Sequence, residues 1–101
     1  MNHIQQGDVF LERVDSLPDG AKRMESGVLA EGEATGHAHR LDLSHAEVFA
    51  DKEGTLYVRA SAPAVLSHEE HRAITVEPGT WRVGRVKEAD PFSEAVRQVR
   101  D

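Results

Sequence analysis

Apolar and polar positions alternate along this chain in short runs, and glycine or proline interrupts them every few residues. The breaks fall at Gly7-Asp8, Pro18-Asp19-Gly20, Gly27, Gly32, Gly36, Gly54, Pro63, Pro78-Gly79 and Gly84. Runs of about 4–9 residues lie between them, the length of short strands joined by tight turns. The pattern predicts strands at Val9–Val14, Gly27–Glu31, His37–Leu43, Glu47–Ala50, Thr55–Ala60, Ala64–Ser67, Ala73–Glu77 and Thr80–Lys87. Thr55-Leu56-Tyr57-Val58-Arg59 and Thr80-Trp81-Arg82-Val83 combine period-2 alternation with β-prone residues. Val76-Glu77-Pro78-Gly79-Thr80-Trp81 reads as two strands joined by a turn with Pro at its first corner and Gly at its second. Strands at this density predict a mainly β, small antiparallel barrel or sandwich over residues 1–89. The polar segment Ser16–Ser26 reads as a surface loop.

The period changes at the C-terminus. Asp90 is a residue type that can cap a helix, and Pro91 suits the first helical position. Phe92, Ala95, Val96 and Val99 then share one face, which predicts a short α-helix over residues 90–101. A helix this short needs a dock. The candidates are the open end of the barrel and a neighbouring subunit, so a homodimer is an expectation.

Charge narrows the class of partner. Eighteen acids against 12 bases leave a net charge of −6, which argues against nucleic acid and accords with holding a cation. No apolar run approaches the ~20 residues of a membrane span, so no membrane partner is expected. Met1-Asn2-His3-Ile4-Gln5-Gln6 lacks the basic and apolar regions of a signal peptide, and the expected location is cytoplasmic. With no cysteine, thiolate metal sites, cysteine nucleophiles and disulfides are excluded.

Histidine carries the candidate chemistry. In Gly36-His37-Ala38-His39-Arg40-Leu41-Asp42-Leu43, an extended strand puts His37, His39, Leu41 and Leu43 on one face, and the leucines mark that face as buried. Two imidazoles about 7 Å apart along a strand can lean onto one ion. The ions suited to imidazole are zinc, nickel, iron and copper. A lone His-x-His equally fits a pair of hydrogen-bonded core histidines. Ser67-His68-Glu69-Glu70-His71-Arg72 follows one predicted strand and precedes another, so it is a connection with four ligand-capable side chains. Which of His68, Glu69, Glu70 and His71 would bind is open, and alone the segment also fits a solvated charged turn.

Together the clusters predict one divalent transition-metal site. His37, His39 and His71 are the main ligands, His68 contributes, and Glu70 is a further ligand or the catalytic general base. Glu47 is held in reserve. His45 reads as a turn residue, His3 as part of a frayed terminus, and Thr35 and Glu33 as partners that could orient the imidazoles.

The succession of Gly32, His37-x-His39, Glu47 and Gly54 resembles the first motif of the cupin superfamily. That resemblance implies a small β-barrel binding a divalent metal through His-x-His and a downstream Glu and His. The chain also resembles a group of small bacterial hypothetical proteins. The shared motifs are Gln6-Gly7-Asp8-Val9, the segment Gly32–His39, His68-Glu69-Glu70-His71 and the Pro-Gly-Thr-aromatic hairpin at Pro78–Trp81. That likeness groups the motifs and implies no reaction.

Three functional expectations follow. The first is a metal-dependent enzyme acting on a small-molecule ligand. The second is an accessory interaction module whose histidines are structural or hold a stabilising metal. The third is a pH-responsive binder, because histidines titrate around pH 6.5.

Overall fold

Alternation becomes burial in the computed structural model, which describes residues 2–32 and 34–86. Among them ten strands follow in chain order: β1 (His3–Gln6), β2 (Val9–Val14), β3 (Lys22–Met24), β4 (Val28–Glu31), β5 (Ala38–Leu41), β6 (Ala46–Ala50), β7 (Leu56–Ala60), β8 (Ala64–Ser67), β9 (Ile74–Val76) and β10 (Gly79–Arg85). They build a six-stranded sheet, β1-β2-β10-β7-β6-β3, and a four-stranded sheet, β4-β5-β8-β9. Every strand pair is antiparallel. The chain is therefore mainly β.

Period 2 decides which side chains are interior. Val9 and Leu11 of β2, Val48 of β6, Val58 and Ala60 of β7, and Trp81 and Val83 of β10 are buried. So are Leu41, Ala64, Leu66 and Val76 of the smaller sheet. All belong to a single apolar cluster to which both sheets contribute. Trp81 has no exposed surface, and its indole N–H donates to the Glu77 carbonyl at 3.0 Å. Burying a side chain of this class contributes about 1.5–3 kcal/mol, with an indole at or above the upper end.

Several sequence expectations need correction. The first strand is β1, where a frayed terminus was expected, and His3 stacks on Phe10 with ring centroids 5.6 Å apart. Part of the expected loop Ser16–Ser26 is strand β3, paired with β6. The turn at Pro78-Gly79 does not make a hairpin, because β9 pairs with β8 whereas β10 pairs with β2 and β7. It is a corner where the chain passes from one sheet to the other. Proline supplies no ladder donor there, and Gly79 takes a φ of 141°, open to glycine and rarely to other residues.

The strand expected over His37–Leu43 is also shorter. It runs Ala38–Leu41, with Leu43 beyond its end and exposed, and its pairing with β4 shifts register between Val28 and Ala30. The buried side chains are Ala38, His39 and Leu41, so only part of the expected face is interior. No helix occurs among the described residues, and none is long and apolar enough to cross a membrane. The helix expected at 90–101 lies outside the described residues, as does Glu33.

Candidate metal centre

His39 is the fixed point of the site. It lies within β5, is buried, and its Nδ1 is 2.8 Å from Gln6 Oε1. The Gln6 amide nitrogen donates to the carbonyls of Leu66 and Arg72, each at 2.9 Å. Turning that amide over would set its oxygen against two carbonyl oxygens, so Oε1 must face the imidazole and accept. His39 therefore donates from Nδ1, and its Nε2 lone pair faces the other way. Burial is the main cause holding this imidazole below its ordinary pKa of 6.5, and His68 acts in the same direction. A neutral ring oriented by a hydrogen bond through its other nitrogen is the form that binds metals.

A two-residue turn from the larger sheet reaches the same place. Gln6 pairs with Val9 across Gly7-Asp8, and Gly7 has a φ of 59°. Glycine at the first corner of a two-residue hairpin is the pattern of a type II′ turn. Close approach also requires it, since a Cβ at Gly7 would lie 2.5 Å from Nε2 of His71. Asp8 follows. Its Oδ1 is 3.4 Å from His39 Nε2, and its Oδ2 accepts from Arg85 at 2.8 Å and 3.3 Å. The Arg85 hydrogen bond is the main reason the Asp8 carboxyl sits below its ordinary 3.8.

The connection between β8 and β9 brings the second cluster over the first. The His68 ring centroid is 4.3 Å from that of His39, 4.6 Å from His71 and 5.6 Å from His37. His71 stacks on His39 at 5.9 Å with the planes 13° apart. His37 precedes β5, is half-buried, and its backbone N–H donates to Thr35 Oγ1 at 3.1 Å. Thr35 thus positions the main chain of His37 and not its ring. His37 Nδ1 lies 3.6 Å from the exposed carboxylate of Glu70. His37, His39, His68, His71, Glu70 and Asp8 line one cavity of about 190 Å³, with Arg85 and Thr35 also in its wall.

The roles within the cluster differ. The Glu70 N–H donates to His68 Nδ1 at 3.0 Å, so a neutral His68 carries its proton on Nε2 and offers a donor. Ligand atoms of His37, His68 and Glu69 lie within 4.8 Å of one another. Glu69, however, already receives the Ala38 N–H at 2.9 Å and Arg40 at 2.8 Å. With the Arg40 hydrogen bond as main cause, its carboxyl falls from 4.5 to about 2. Its oxygens are turned to protein donors, and it works as a clamp between the connection and β5.

Two candidates lie apart. His45 and Glu47 line a different and larger cavity of about 590 Å³. Glu47 there accepts from Arg59 at 2.9 Å and from Arg23 at 3.4 Å. Sequence reasoning missed Gln6 and Asp8. The one available signal was Gln6-Gly7-Asp8-Val9 itself, a turn with polar flanks beside a strand.

Fold and site together define a class, a two-sheet antiparallel β protein with a histidine-lined pocket where the sheets meet. The family described as Domain of unknown function (DUF8820) matches residues 5–86, and the chain belongs to that family. The matched segment contains every histidine of the cavity. No curated protein and no solved structure matches the chain.

Proposed function

We propose that this protein binds one divalent transition ion, zinc, nickel, iron or copper, and uses it on a small molecule in the histidine-lined cavity. The ligands are His37, His39 and His71, with Glu70 contributing, or His68 once its Nδ1 releases the Glu70 N–H. The observation that carries the reading is the convergence of four imidazoles, two from the β5 segment and two from the β8–β9 connection, on one cavity. Bound there, an ion would supply Lewis acidity and acidify a coordinated water. Gln6 fixes the His39 tautomer, and Glu70, exposed beside His37, accepts or returns a proton as general base. At about 190 Å³ the cavity suits a ligand of a few heavy atoms, since drug-sized sites start near ~300 Å³. In its finer form the fold reading is a small cupin-like barrel or sandwich, supported by one core common to both sheets.

Calorimetric titration of untagged, metal-free protein with zinc tests this. One equivalent should bind, with release of any protons that the ligating imidazoles carry. Absence of binding with zinc and with each of the other three ions contradicts the proposal.

A further inference from the structure

The β1–β2 turn contributes more than packing to the cavity. Gln6 forces the His39 proton onto Nδ1, so Nε2 presents a lone pair. Facing it at 3.4 Å is Oδ1 of Asp8, a carboxylate whose other oxygen is taken by Arg85. Two acceptors at this distance repel unless a cation or proton stands between them. Their separation also has a geometric meaning. Two ligands each about 2.0–2.1 Å from a tetrahedral zinc lie about 3.4 Å apart, the edge of the tetrahedron.

We infer that Asp8 is a ligand of the ion, through Oδ1 and paired with His39 Nε2, so that the ion ties the turn of the six-stranded sheet to β5 of the four-stranded sheet. This rests on the metal-binding reading above and names a carboxylate ligand that the histidine motifs do not contain. Arg85 takes Oδ2, so Oδ1 is the oxygen left facing His39 Nε2. Gly7, one residue earlier, admits the His71 ring to the same space.

The test uses cobalt(II) as the probe in full-length untagged protein, with absorption spectra and chelator competition for wild type, Asp8→Asn, Arg85→Met and His39→Ala. Asparagine keeps the size and an oxygen for Arg85, so the turn survives while the anionic ligand is lost. Asp8→Asn should weaken cobalt binding by more than the ~100-fold typical of losing an outer hydrogen-bond partner, and should change the visible d–d bands. Arg85→Met should leave the bands in place, which separates ligation from a merely structural salt bridge. An Asp8→Asn protein with wild-type affinity and bands overturns the assignment of Asp8 while His39→Ala still abolishes binding. It is equally overturned if Arg85→Met reproduces the Asp8→Asn spectrum. No cobalt binding by wild type overturns both this and the reading beneath it.

Discussion

The side-chain amide of Gln6 serves three partners: it accepts from His39 and donates to the carbonyls of Leu66 and Arg72. It is 3 % exposed, so water cannot replace those bonds when it is removed. Replacement by leucine keeps the bulk and strands buried polar groups, each costing about 1–3 kcal/mol. Gln6→Leu should therefore lower stability by at least about 1–3 kcal/mol in urea denaturation, and metal affinity by roughly 10–100-fold through the freed His39 tautomer. Unchanged affinity would show that the tautomer is not set by this contact. The histidines were legible in the sequence because their spacing is local. Gln6 and Asp8 were not, since they meet His39 only after the two sheets come together, and glutamine beside a turn carries no periodic or chemical mark.

Among the elements, the connection between β8 and β9 depends on one clamp. Glu69 receives Ala38 N–H and Arg40, and so pins the loop that carries His68 and His71 onto the strand that carries His39. Because its folded pKa is depressed from 4.5 to about 2, its stabilising contribution is complete above pH 4.5 and is lost as pH falls toward 2. The gap in urea midpoint between wild type and Glu69→Gln should be widest near neutrality and close across that window. A gap independent of pH would mean that the charge is not what holds the loop. Strand legibility followed burial. β2, β7 and β10 show an apolar face and were read from alternation. β3 is exposed along its whole length and β1 has only Ile4 as an apolar residue, so nothing in their patterns marks them as edge strands. His37 and His39 were expected on one face of one strand. His37 lies before β5 instead, which lets it meet the loop at Glu70.

At the scale of the molecule, two antiparallel sheets have one core, and the site lies where a turn of one meets a strand and a connection of the other. Frequent breakers and short alternating runs were enough to indicate a mainly β chain. They could not assign strands to sheets, because adjacency in sequence favours a hairpin at Pro78-Gly79 whereas the chain turns a corner there. Packing of Trp81 and Val83 into the common core decides that outcome. The same arrangement brings histidine pairs 29–34 residues apart into one cavity, and a single metal site there would need both pairs. Elemental analysis of untagged protein, run beside His37→Ala/His39→Ala and His68→Ala/His71→Ala, measures this directly. About one metal per chain, lost in each double variant, is the predicted result. Metal retained in full by either variant, or none in wild type after reconstitution, would contradict the account.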